Sequence, residues 1–404
     1  MHAMLNRLVM KLGVILALVA FLKPGVAYAY PWMIRHHYTG CTACHTDPSG
    51  GNLLTSYGRS LSQTYLASEL LAKRDEEPSK FKDFAFGLVP LPEDTLAVGA
   101  FLRSGYVSTR SGGKTLDSRL VTMRADLEAH VAAGDLRMNA SVGVLPGGSA
   151  ASAREAWVNR ASAGDPAIVA RTFWAGYSFA DGDAVLRAGR MVLPFGLRNV
   201  EHTAWVRSET HTDLNQHQQT GASLDWSNDN ARLEVMGVAG NFQLRPDDLR
   251  ERGLVGYGEL RIGKRATVAA RAQVLRSARD RLFGTNGALV RQSYGAFYRA
   301  ALLDELALMV EVNALATSFE GAATELGHVA FAQADYEPLP GLHVMGTLEE
   351  KRTALAGAGQ GVGAWLSTAW FPVPHVELRG DGIVRQIGGT SPTLTLLFQG
   401  QLYL

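Results

Sequence analysis

From about Thr95 to its end, the chain is a succession of short runs in which apolar and polar residues alternate. Met123-Arg124-Ala125-Asp126-Leu127-Glu128-Ala129-His130-Val131 is one such run. Leu136-Arg137-Met138-Asn139-Ala140-Ser141-Val142-Gly143-Val144 repeats it after Ala133-Gly134-Asp135. A period of two lays one set of side chains on each face of a sheet. Sixteen such segments begin near residues 95, 119, 136, 168, 184, 218, 230, 252, 266, 290, 305, 326, 341, 361, 375 and 393. The links between them alternate in length. Ala133-Gly134-Asp135, Asn228-Asp229-Asn230 and Pro372-Val373-Pro374 are short; Arg110 to Asp117, Pro146 to Ala167, Pro194 to His217 and Asn241 to Glu251 are long.

Short turns at one end, long loops at the other and an even strand count describe an all-β fold, a transmembrane antiparallel β-barrel of about 16 strands. A soluble sandwich or propeller would turn its apolar set inward and would lack the asymmetry of the links. In a barrel of this width the polar set faces a water-filled lumen. Ser152 to Arg160 is also strand-like, which leaves fourteen or eighteen strands open. In the last run Leu394, Leu396, Phe398, Gly400, Leu402 and Leu404 share one face, and Gln399 and Gln401 the other. This ending resembles the terminal signal read by barrel-assembly machinery, with Leu404 where Phe is more usual.

The N-terminus has the layout of a secretory signal. Arg7 and Lys11 precede an apolar run from Leu12 to Leu22, and Ala27-Tyr28-Ala29 offers a cleavage site. The run is too short to cross a bilayer as a helix. Cleavage after Ala29 starts the mature chain near Tyr30. Charges interrupt every later apolar stretch, so spanning by helices is not expected and outer-membrane localisation by strands is.

Composition changes this picture little. A net charge of +1 without a basic block argues against nucleic acid as a partner. The 43 glycines, against 15 prolines, suit turns and strands more than disorder.

The candidate chemistry lies between the signal and the first strand. The only two cysteines stand in Cys41-Thr42-Ala43-Cys44-His45, the C-x-x-C-H pattern of c-type haem attachment. Two thiols at this spacing add to the two haem vinyl groups, and the following histidine meets the iron. Cys41 and Cys44 are thus the candidate thioether positions of one covalent haem c, and His45 its proximal ligand. A thioredoxin-like pair would want a βαβ context and a zinc site more ligands; a plain disulfide suits an oxidising compartment, but the adjacent His45, the export signal and the lack of a spare thiol favour haem. For the distal side His36, His37 and Met33 lie just upstream, and a barrel-wall residue such as His130 is a further candidate. After the turn at Pro48-Ser49-Gly50-Gly51, Asn52 is placed to cap an amphipathic helix running to about Lys73.

These features divide the chain into a signal peptide (1–29), a monohaem cytochrome c segment (30–90) and a porin-like barrel (91–404). About 65 residues precede the first strand in the mature chain, a small number for a core of their own. Insertion into the lumen as a plug would supply the missing half; a periplasmic tether is the alternative. The third long link contains His202, Glu209, His211, Asp213 and His217, a candidate cation site. A solvated loop with internal salt bridges competes with it.

Thr39-Gly40-Cys41-Thr42-Ala43-Cys44-His45, Pro48 and Leu54-Thr55-Ser56-Tyr57-Gly58-Arg59 together resemble the outer-membrane monohaem cytochrome c–porin fusion family, which includes a branch of iron oxidases. The last element is similar to that family's Leu-Asn-x-Phe-Gly-Arg, with Thr55 at the Asn position. The resemblance implies electron transfer across the outer membrane, between an extracellular donor or acceptor and a periplasmic c-type cytochrome. In the iron-oxidase branch the reaction is of the Fe(II):cytochrome c oxidoreductase type. Outer-membrane lipid is the surrounding phase. The competing readings are a transport barrel whose haem gates or senses, and a scaffold for a separate multihaem cytochrome.

Overall fold

The computed structural model describes residues 31–36, 38, 40–41, 43–51, 53–68, 82–92, 95–146, 166–194, 196–197, 201, 203–214, 217–241, 250–278, 287–353 and 359–404. The signal sequence, His37, His202 and the strand-like stretch 152–160 lie outside them.

The described strands form one antiparallel sheet that closes on itself. The first strand, β1 (Leu96–Ser111), pairs with β2 (Lys114–Ala133) on one side and with the last strand, β17 (Thr393–Tyr403), on the other. The seam runs from Phe101 opposite Tyr403 to Ser111 opposite Thr393. Two short segments, β4 (Ala167–Val169) and β5 (Phe173–Phe179), both pair with β3 (Leu136–Leu145). They are two pieces of one strand, so the cylinder has sixteen. The expected strand starts fall within one residue of the observed ones except at β2. That strand begins at Lys114, and the expected long link Arg110 to Asp117 is a tight hairpin turning on Gly112 and Gly113. Both glycines have positive φ, 54° and 79°, as a two-residue hairpin turn demands. Alternation fades there because, beyond the lipid, water wets both faces and no apolar set is required.

Within the strands the two faces are sharply different. Leu120, Leu254, Leu348 and Leu366 point outward, Leu366 with 65 % of its surface exposed. Asp225, Glu234, Glu311, Asn313, Asp335 and Arg379 point inward and are buried. An apolar outer belt with a polar interior is the arrangement lipid imposes. Leu366→Arg, in the middle of β15 (Gln360–Trp370), is therefore expected to cost about 2–4 kcal/mol in a bilayer, and Leu303→Arg, beside a short turn, about 0–1. Urea titration in liposomes measures both; equal costs would contradict the lipid-facing assignment.

The lumen is not simply wet, as the alternation alone suggested. The described residues between 31 and 68 pack against its inner wall, and those of the third long link fold in beside them. Arg35 donates to Asp335 (2.5 Å) and Glu337 (2.9 Å), and Trp32 lies on the His343 ring (4.2 Å). Ser62 Oγ accepts from the His375 backbone N–H (2.7 Å), and the Ser68 N–H donates to the Phe371 carbonyl (2.8 Å). Trp32, Met33, Ile34 and Leu61 share an apolar cluster with wall residues that include Phe331 and Trp365. These wall residues carry the inner face away from an all-polar lining where the segment sits.

The expected helix Asn52 to Lys73 is shorter. Helix α1 spans Ser56–Leu61, continues as one wider turn over Ser62–Leu66, and ends at Ala67 in extended backbone (ψ 139°). Thr55, not Asn52, is the cap, its side chain accepting from the Gly58 N–H. Leu53 and Leu54 are drawn away by a bridge to the haem-motif turn: the Thr46 N–H bonds the Leu53 carbonyl, and His45 pairs with Leu54.

Candidate cofactor site

Of the C-x-x-C-H residues, Cys41, Ala43, Cys44 and His45 lie in a single tight turn. The Cys44 and His45 N–H groups both donate to the Cys41 carbonyl, at 3.2 and 3.0 Å. This is how the spacing works: two intervening residues bring the second cysteine and its histidine back over the first. Thr55 clamps the turn. Its N–H donates to the Cys44 carbonyl (2.9 Å) and its hydroxyl to the Ala43 carbonyl (2.8 Å).

Two glycines let the neighbouring chain approach. A Cβ at Gly58 would stand 2.3 Å from the Cys44 carbonyl oxygen, so only glycine seats α1 on the turn. A Cβ at Gly50 would stand 2.7 Å from Cys41 Cβ and Sγ, and Gly50 has φ +81°. Gly58→Ala is expected to lift α1 from the turn. Limited proteolysis should then cut residues 53–68 faster while the barrel keeps its heat-dependent gel mobility. Unchanged cleavage would count against the packing.

Both thiols are free and buried, Cys41 at 7 % exposure and Cys44 at 4 %. Burial pushes the Cys44 thiol up to about 12, with the neighbouring Cys41 adding to it.

His45 opens on a cavity of about 440 Å³ at the short-turn end of the barrel. Arg59, Lys82 and Arg137 bring cations to its lining, and His130 enters it from β2. Burial lowers the Arg59 guanidinium to about 10, so it stays charged at neutral pH. Among the described residues, two imidazoles and three cations line the cavity, but the thiols that would hold a haem do not: Cys44 belongs to the apolar cluster and Cys41 lies against Gly50. The lining of this cavity does not by itself fit a haem bound through both cysteines.

Met33 and His36 do not line that cavity. Met33 is buried in the apolar cluster that also holds Cys44. The His36 ring lies on Tyr65 (4.9 Å), with Nε2 3.5 Å from Glu337.

The third long link folds inward around a short helix, α2 (Trp205–Thr210). Its charged residues find partners on the wall. Arg207 pairs with Glu311, Glu201 with Arg379 (2.8 Å), and Glu209 with Lys351 (2.6 Å). Leu214 lies over Gly51, joining the loop to the N-terminal segment. The structure brings His211 and His217 together, ring centroids 5.0 Å apart. The Asp213 N–H donates to His217 Nδ1 (3.1 Å). Among the described residues, no group of three or more His, Cys, Asp or Glu side chains could hold a metal ion. Burial and then Arg291 hold both imidazoles below the usual range, His217 at about 3.

A histidine whose folded pKa is lowered loses stabilisation as pH falls through its unfolded value of about 6.5. Acidification from there toward 3 is expected to loosen the loop. Proteolysis within 203–214 should accelerate over that window in the wild type and less in His211→Phe/His217→Phe. An identical pH response of the two proteins would refute the assignment.

The deciding geometry for the fold is the closed sixteen-strand cylinder with short turns at one end. OmpT of Vibrio cholerae, in its trimer form, is similar to it with a TM-score of 0.58 at 8% sequence identity, over 77% of this chain and 99% of that one. The outer-membrane channel DcaP of Acinetobacter baumannii gives 0.56 at 12% identity, over 78% and 100%. The anion-selective porin from Comamonas acidovorans gives 0.55 at 11%, over 77% and 99%. The fold is that of the outer-membrane porins. At such identities the likeness concerns the fold alone. No protein-family model and no curated protein matches the chain.

Sequence reasoning missed the residues that hold the N-terminal segment in place. Arg187 is the clearest: it donates to Asp47 (2.6 Å), Ser49 (2.6 Å), Glu234 (2.7 Å) and Ser223 (3.1 Å). Alternation marks Arg187 as inward-facing, but nothing local names its partners.

Proposed function

We propose that this chain is an outer-membrane electron conduit of the monohaem cytochrome–porin type. A porin-fold cylinder carries one haem c on a plug formed by residues 31–68. Cys41 and Cys44 hold the haem and His45 is its proximal ligand. With the short turns facing the periplasm, as in porins, the plug occupies the periplasmic half of the lumen. The observation that supports the reading is the C-x-x-C-H turn, clamped by Thr55 and Gly58 within the cylinder, whose His45 borders a cavity beside the barrel wall.

When bound, the haem supplies one-electron exchange between the ferric and ferrous states. The chain's own residues set the terms of that exchange. The plug and the third loop exclude water from the lumen. Arg59, Lys82 and Arg137 neutralise carboxylates at the cavity. The mouth beside His45 admits a periplasmic c-type cytochrome. An extracellular donor or acceptor, with Fe(II) as the candidate, meets the loop side. In intact cells a membrane-impermeant reductant should reduce the haem of the wild type. A haem silent to such a reductant in cells but reducible after lysis would overturn the conduit.

A second reading, a transport barrel with a gating haem, is favoured by the channel and porin among the structural neighbours. Planar-bilayer conductance separates the two. Large open currents from the holoprotein support transport, and a closed pore supports the conduit.

A further inference from the structure

We propose that the cavity beside His45 binds a small dianion whose charge sits on carboxylate or phosphate oxygens; this goes beyond the reading above and needs no haem. The cavity, of about 440 Å³, lies at the short-turn end of the barrel. A space of that size suits a short organic acid or a phosphate ester. Arg59, Lys82 and Arg137 line it, and Asp83 is the one carboxylate among its described lining residues. Three positive charges against one negative leave two for a ligand to balance.

The hydrogen bonds of both guanidiniums go to backbone carbonyls. Arg59, 2 % exposed, donates to the Val98 carbonyl, and Arg137 to those of Gly134 and Leu136 at the β2–β3 turn. A carbonyl satisfies a donor but leaves the cation's charge unbalanced, which is costly at a buried site. Asp83 favours the charged form of Arg59 through space, while one of its oxygens accepts from the Leu91 N–H (3.1 Å). His130 adds a neutral donor. It enters the cavity from β2, is 8 % exposed, rests against Trp174 (5.7 Å between ring centroids), and carries a ring nitrogen without a hydrogen-bond partner. A neutral imidazole N–H donates to an anionic oxygen without adding charge of its own.

The test is isothermal titration calorimetry on the full chain purified in detergent. Sodium phosphate and sodium succinate are the probes, at low salt, with a neutral diol as control. The wild type should bind one or both anions and not the diol, and added salt should weaken the binding. The stronger of the two probes tells phosphate from carboxylate. Arg137→Gln should weaken binding about tenfold or more, the loss of one charge-assisted hydrogen bond. Arg59→Gln should do the same, and His130→Phe should cost less. Heat-dependent gel mobility reports barrel folding in every variant; Arg137, bonded only to its own turn, keeps the test decisive if the Arg59 variant fails to fold. Arg265→Gln removes a cation at another short turn that already pairs with Asp304, and should bind as the wild type does. No binding of either anion would overturn the proposal. So would wild-type affinity in Arg137→Gln, or an equal loss in Arg265→Gln, which would reduce the effect to overall charge.

Discussion

Cys41→Ala combined with Cys44→Ala is expected to abolish covalent haem staining on a denaturing gel while the barrel still folds. The chain has two cysteines in all, so no other thiol can substitute. The barrel does not depend on them: its closure rests on the β1–β17 seam and on the outward apolar and inward polar faces. Each single variant should retain at most one thioether and a reduced yield, and His45→Ala should keep its stain but lose the proximal ligand. Staining that survives the double variant would remove the attachment assignment. A double variant that also loses heat-dependent mobility would show that the thiols serve folding, contrary to the reading here.

Arg187→Leu is expected to release the N-terminal segment and open the pore. The guanidinium is buried and fully engaged, holding Asp47 and Ser49 of the segment together with Glu234 and Ser223 of the wall. Glu234 keeps a second cation in Arg232 (2.6 Å), while Asp47 and Ser49 of the segment lose the Arg187 guanidinium. Removing one partner of a buried pair costs about 3 kcal/mol or more. That shifts the seated population by about two powers of ten. Single-channel conductance should rise toward that of a variant lacking residues 31–68, and Arg187→Lys should lie between. A variant that stays as closed as the wild type would show that the segment is held by its apolar contacts alone.

The barrel was legible because lipid and water enforce its pattern residue by residue. Lipid demands an apolar side chain at Leu366 and water a polar one at Ser367, so period two survives wherever both phases are present. It was lost at Arg110 to Asp117, where water bathes both faces and only Gly112-Gly113 marks the hairpin. The helix limits were illegible for another reason. Leu53 and Leu54 suit an amphipathic helix, but their backbones serve the haem-motif turn, and a wall carbonyl takes the Ser68 N–H. The third loop was legible as a long link rich in charge. Its carboxylates were not legible as partners of Arg379 and Lys351, because that depends on strand register. Arg35 meets Asp335 across 300 residues, and no local pattern encodes such a meeting. The turn around Cys41 and Cys44 was readable from spacing alone; the glycines that cradle it were not.

The seclusion of the two sulfur atoms imposes a chronology. Cys41 lies beneath Gly50, and the first turn of α1 presses on the Cys44 backbone, with the whole assembly enclosed by strands. A bulky reactant has no route to either atom once the segment is seated. Whatever is joined to them must be joined while residues 31–68 still stand outside the cylinder. A chain that shuts too early is left sealed in an unloaded state.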